Sequence, residues 1–336
     1  MRANRARVVA VVTYFGGALG LNMINQGRID VLVVVAGLPF VVRRLFDLLD
    51  VTGFSTAAGP PVAFGVAGWR ASAAGQRMVL VILVALMSSL APATVVAVAV
   101  IVLGVTLVGA GEGARPLRLL VSVLVSVAIF LAPLTLDTIF AGRRALEVFG
   151  LARGAWSGPG FLALARGADG VFGGSWWGWL GPIAALIGLA LTRGERRAMA
   201  VRVAAVGALS LVVATLSLRH WMGPFTPDVD VLLALYGVML AGLIGLGVAA
   251  IELDLRHVSF GWRQIGAGVM ITLLVVSIVP LALNVASGRF DLPTTSVSES
   301  LSALAPPGVS NYRVLWLGEE IARCQIDAGT CELYVP

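Results

Sequence analysis

Residues 251–293, IELDLRHVSFGWRQIGAGVMITLLVVSIVPLALNVASGRFDLP, decide how the whole chain is read. The stretch closes one apolar run and passes through a charged turn that ends in Phe260-Gly261-Trp262-Arg263-Gln264. It then enters a second apolar run long enough to cross a bilayer. Beyond that run the composition turns polar, so the stretch joins a membrane-embedded body to a C-terminal tail.

Working outward, the whole chain of 336 residues is 58% hydrophobic and only 12% charged, whereas an ordinary soluble domain carries roughly 25% charged residues. A soluble core cannot hide that excess, so an integral membrane protein with the lipid bilayer as its first partner is expected. All 24 basic residues are arginine. The absence of lysine excludes a P-loop, which needs one for the phosphates, and with only His220 and His257 in the chain a zinc-protease helix motif is equally excluded. The net charge of +6 is read as arginines holding loops on the cytoplasmic side, not as a nucleic-acid surface. No cofactor or metal is expected. The basic N-terminus resembles a signal peptide, but its apolar part outruns an h-region and lacks a small-x-small cleavage site, which favours a retained first span.

Taken in order, the candidate spans are residues 8–25, 30–46 with a break at Pro39, two short crossings within 78–110 turning at Pro92, and 119–136. After these come 178–192, 199–218, 231–250 and 265–286. Residues 78–110 are too long for one helix at ~1.5 Å per residue across ~30 Å. Residues 47–77, with Gly59-Pro60-Pro61, Trp69, Arg70 and Arg77, suit a segment lying on the inner surface. Residues 137–175 form the longest polar connection, expected outside. Trp176-Trp177-Gly178-Trp179 then anchors the next span or offers a sugar-stacking platform. Arg193, Arg196, Arg197 and Arg202 are the strongest topogenic signal. The expectation is therefore an all-α polytopic membrane protein with roughly nine transmembrane helices over residues 1–286. It would sit in the plasma membrane with its N-terminus cytoplasmic and its C-terminus outside.

Residues 287–336 read as an extracytoplasmic stalk and short tail containing one or two strands, at Tyr312–Leu317 and Glu332–Val335. Cys324 and Cys331 lie in that tail, where an oxidising compartment makes a disulfide the candidate and free thiols the alternative. Asp228-Val229-Asp230 is a DxD pair able to share a hard cation, or simply charges at a helix start. Among the acids near the outer face, which include Asp30, Glu147 and Asp169, Asp137 stands just past a span end and is a candidate general base. Trp262 and Arg263 are an interface anchor and a topogenic charge, or a docking surface for a cytoplasmic partner domain.

The turn from Ile251 to Gln264 resembles the C-terminal membrane region of the large actinobacterial family 2 glycosyltransferase-like membrane proteins. Residues 196–202 (RRAMAVR), the span 230–250, the stalk 288–293 and residues 312–318 (YRVLWLG) follow the same pattern in order, and Asn25 to Arg28 with the span after it is similar too. The resemblance covers most of the chain and is specific from about residue 193 to 318. It implies cell-envelope polysaccharide synthesis. Members carry a cytoplasmic nucleotide-sugar transferase domain ahead of this region, and no counterpart is seen here, so none of the family's catalytic residues carries over. Glu319-Glu320 also stands where an Asp-Pro and a long exported domain usually follow. Together these departures suggest a fragment, a split gene or a degenerate paralogue.

Three readings follow. The first is a non-catalytic membrane module serving a glycosyltransferase, as an anchor or a passage for a lipid-linked sugar. The second is an autonomous transferase using a lipid-linked donor at the outer face near Asp137 or Asp228. The third is a small-molecule transporter, which lacks acids buried within spans and a visible internal repeat.

Overall fold

The computed structural model describes residues 4–17, 20–22, 28–49, 51, 73–109, 114–140, 160–167, 176–219, 221–222, 225–254 and 261–286. The chain divides into two units, Met1–Asp291 and Leu292–Pro336, and every described residue belongs to the first. Cys324, Cys331 and the expected tail strands lie outside the described residues.

Every regular element among the described residues is helical. In chain order these are α1 (Asn4–Phe15), α2 (Ile29–Leu48), α3 (Ala73–Leu90), α4 (Thr94–Val108), α5 (Arg115–Phe130), α6 (Ala132–Phe140), α7 (Phe161–Ala165), α8 (Leu180–Leu191), α9 (Gly194–Leu218), α10 (Val229–Asp254) and α11 (Trp262–Ala286). A 3-10 turn at Trp176–Trp179 leads into α8. Three helical stretches are long and apolar enough to cross a membrane: Gly194–Leu218, Val229–Leu253 and Trp262–Val279. Stretches Ala74–Leu90, Thr94–Val108 and Trp176–Leu191 are apolar but shorter. The described residues are thus all helical in their regular elements and carry three helices long and apolar enough to cross a membrane, which makes this a membrane protein. Others of the roughly nine expected spans are shorter helices or reach into residues outside the described ones.

The core is organised by α10. Val231, Leu232, Leu233 and Leu235 are each fully buried, and consecutive burial means the helix is covered on all sides, unlike an amphipathic surface helix with one apolar stripe. Helices α1, α2, α4, α8, α9 and α11 all pack against it. Two crossings are close enough to need glycine. A Cβ on Gly247 would lie 2.6 Å from the Cα of Gly188 in α8, and one on Gly104 in α4 would lie 2.8 Å from the Cα of Val206 in α9. Small residues let backbones meet where lipid supplies no hydrophobic drive between helices.

The helices run alternately between two ends of the bundle. Ala6 at the start of α1 packs with Ala249 near the end of α10, while Arg28, which leads into α2, reaches Asp230 at the start of α10. At the end where α10 finishes, Arg202 lies beside Gly109 after α4, and Arg43 and Arg44 lie in the last two turns of α2.

Several expected boundaries are corrected. Pro39 does not break α2, which continues through it. Proline removes the donor that would serve the carbonyl four residues earlier, Val35, and the Tyr14 hydroxyl donates to that carbonyl at 2.8 Å. Both ends of the expected interfacial segment 47–77 are helical, since α2 takes in Asp47 and Leu48 and α3 begins at Ala73, placing Arg77 in a helix; residues 50 and 52–72 lie outside the described residues. The expected single span 119–136 is two helices divided at Leu131. Pro133 has no N–H to continue the ladder, and the Thr135 hydroxyl turns back to the carbonyls of Ala128 and Leu131, each at 2.8 Å. The division puts Asp137 inside α6 instead of in a loop. The expected outer loop 137–175 likewise contains a helical turn, α7, with Leu164 fully buried.

Candidate functional site

The described residues bring four charged side chains together at the end where α10 begins. Arg28 lies just ahead of α2 and sends its guanidinium to three carboxylates: Nη2 to Asp30 and to Asp228, and Nη1 to Asp230, each at 2.6 Å. The local sequence explains each position. Asp30 falls in the first turn of α2, where a negative charge meets the positive end of the helix dipole. Asp228 immediately precedes α10, and its Oδ1 accepts the backbone N–H of Asp230 at 3.0 Å, as an N-cap side chain does. Its other oxygen is therefore the one turned to Arg28. Asp230 lies within the first turn of α10 and is fully buried, which corrects the expectation that no acid is buried within a span, whereas Asp30 keeps a third of its side-chain surface.

One guanidinium among three carboxylates leaves a formal excess of two negative charges. Burial pushes the Asp228 carboxyl above the usual range and the neighbouring Asp230 pushes it further, against the pull of Arg28 and the Asp230 N–H. Burial opposes the Arg28 charge as well, but its hydrogen bonds to Asp228 and Asp30 and the field of Asp230 outweigh it and hold the guanidinium charged. The arrangement joins the α1–α2 connection to the start of α10, across 202 residues of sequence.

The same end carries further buried polar contacts. Ser217 donates to the carbonyl of Pro227 and Ser210 to that of Leu232, each at 2.6 Å, which seats the start of α10 against α9. The Asn22 side-chain amide donates to the carbonyl of Gly167 and the Tyr236 hydroxyl to that of Ala165, both at 3.0 Å, holding the α7 segment on the bundle.

The expected site residues fare differently. Asp228 and Asp230 come together, with both oxygens of Asp228 engaged by Arg28 and by its own helix start. Asp137 lies exposed on α6 and joins no cluster among the described residues. Arg263 is buried and donates to the carbonyl of Leu191 at 3.0 Å, closing the end of α8 against the start of α11, while Trp262 remains exposed beside it. Among the described residues no group of three or more His, Cys, Asp or Glu could hold a metal ion. Arg28 and Asp30 were missed as partners of the DxD pair. The available signal was that Arg28, Asp30, Asp228 and Asp230 all stand where a span begins, on one side of the expected membrane. No family model, characterised protein or solved structure matches the chain.

Proposed function

We propose that the chain is a membrane module serving glycosyl transfer in cell-envelope polysaccharide synthesis, with no catalytic centre of its own. The glycosyl-transfer part of this reading rests on the resemblance of residues 193–318, and the observation that supports its non-catalytic part is the engagement of Asp228 and Asp230 by Arg28. A DxD pair that grips a cation against a diphosphate needs oxygen lone pairs facing that cation, and a guanidinium at 2.6 Å takes that role. The module sits in the plasma membrane of an actinobacterium, with the arginine-rich end that includes Arg43, Arg44 and Arg202 toward the cytoplasm, as the positive-inside rule requires. The N-terminus is then cytoplasmic and the chain leaves α11 on the outer side. A separate cytoplasmic transferase domain, or the lipid-linked sugar it makes, is the partner.

A second reading, an autonomous transferase at the outer face, is favoured by one feature: Asp30 keeps a third of its surface while held by Arg28, as a general base must reach both solvent and substrate. Asp30→Asn separates the two. Under the module reading, envelope glycans in a strain carrying only this variant match those of the wild type. Glycan loss with normal insertion and abundance establishes the enzyme reading.

A further inference from the structure

The segment Phe161–Gly167 is pinned to the bundle on both sides of one residue. Tyr236 holds the carbonyl of Ala165, Asn22 holds that of Gly167, and both donors are buried. Gly167 adopts φ of 75°, turning the chain at that point, a conformation that costs glycine little. The residue fixed between the two carbonyls is Arg166.

Arg166 is half-buried, and its Nε is enclosed with no hydrogen-bond partner among the described residues. An enclosed donor left unsatisfied costs free energy, and a guanidinium at membrane depth is stable only against an anion or acceptor. Among the described residues no carboxylate pairs with it, the ion pairs of Asp30, Asp228 and Asp230 all going to Arg28. One turn earlier, Phe161 and Leu162 are exposed while Leu164 is buried, so α7 turns an apolar pair outward. The stacked pair Trp176 and Trp177, ring centroids 4.0 Å apart, stands where α8 begins, and exposed Trp221 follows α9 at the same end. Tryptophans of this kind mark the headgroup level of a bilayer.

An apolar pair beside a positioned guanidinium at headgroup depth matches an amphiphile with hydrocarbon chains and an anionic head. Arginine's fork of donors suits phosphate oxygens in particular. We propose that Arg166, positioned by Tyr236 and Asn22, binds the phosphate of a membrane lipid whose chains lie on Phe161 and Leu162. The inference goes beyond the glycosyl-transfer reading and does not depend on it.

The test uses the full chain, purified in detergent, delipidated and titrated separately with phosphatidylglycerol and with diacylglycerol of the same chains, with bound lipid counted by native mass spectrometry. Wild type is expected to prefer phosphatidylglycerol, and Arg166→Gln to lower that preference about tenfold, the worth of one hydrogen bond to a charged group. Arg166→Lys keeps the charge without the fork and is expected to fall between them. Tyr236→Phe keeps Arg166 but releases the Ala165 carbonyl, and is expected to weaken retention of the phosphate lipid alone. Arg219→Gln, an exposed arginine at the same end, serves as control and is expected to match wild type. Equal retention by wild type and Arg166→Gln overturns the proposal, as does an equal loss in Arg219→Gln. Should Arg166→Gln not fold, wild-type retention by both Arg166→Lys and Tyr236→Phe overturns it instead. A polyprenyl monophosphate added in competition identifies the source of the headgroup: displacement of phosphatidylglycerol at lower concentration supports a lipid carrier, and displacement only at equal concentration supports ordinary phospholipid.

Discussion

The Tyr14 hydroxyl donates to the carbonyl of Val35 at 2.8 Å, the one acceptor in α2 that Pro39 deprives of its helical donor. A proline in an apolar helix is tolerated when a neighbour satisfies the freed group, and here α1 supplies the neighbour. Tyr14→Phe is therefore expected to destabilise the protein by about 1–3 kcal/mol, the cost of a buried acceptor left unmade. In a Pro39→Ala background the helix provides its own donor, so the same change should cost clearly less. Thermal unfolding of the four proteins in one detergent checks this, and an unchanged cost of Tyr14→Phe in the second background contradicts the assignment.

Removing Arg28 leaves three carboxylates crowded at the start of α10. Arg28→Gln is expected to cost about 3–5 kcal/mol at neutral pH, as breaking a buried pair from one side does. The loss should shrink on acidification, because protonation removes the uncompensated charge. Unfolding temperatures of wild type and variant, measured from pH 7 down to the carboxylate range, report both effects.

The two aspartates of the DxD pair should respond differently. Asp228 has its carboxyl pushed up by burial and then by Asp230, so the folded state binds its proton more tightly than the unfolded chain does. Stability from this group is present below the unfolded carboxylate range and is lost as pH rises through the raised folded value. Asp228→Asn should flatten that slope at little cost at neutral pH, since asparagine caps a helix about as well as aspartate. Asp228→Ala loses the cap and should cost about 1 kcal/mol more. Asp230→Asn removes a fully buried partner of Arg28 and should be the more damaging of the two asparagine changes.

The α8–α10 crossing admits no side chain. A Cβ on Gly188 would meet the Leu243 carbonyl oxygen at 2.8 Å, and one on Gly247 the Gly188 backbone at 2.6 Å. Gly188→Ala and Gly247→Ala are each expected to cost about 1–3 kcal/mol, the range for overpacking a tight contact. Gly268 in α11 has open space around it, so Gly268→Ala should be neutral or stabilise by up to about 1 kcal/mol through helix propensity. Measuring the three in parallel separates steric exclusion from a general intolerance of change.

Much of the architecture was legible without coordinates. Apolar runs of span length between arginine-bearing turns identified a helical membrane protein, and the runs ending at Leu218, near Ala250 and at Ala286 became the three longest apolar helices among the described residues. Those features are local: hydrocarbon demands consecutive apolar residues and internally bonded backbone, and both leave their mark in a window of twenty residues. Only the tertiary structure decided that Pro39 stays inside a helix, because its remedy is a tyrosine 25 positions earlier whose reach depends on how α1 packs. It also decided the fate of the charges. Asp228 and Asp230 read from sequence as a pair facing solvent or a cation, yet their partner, Arg28, stands 200 residues away. Arg263, a surface charge by its position in a turn, is instead buried against the end of α8. Opposite charges find each other through the alternation of helices between two ends, and that alternation becomes a set of neighbours only when the bundle closes around α10.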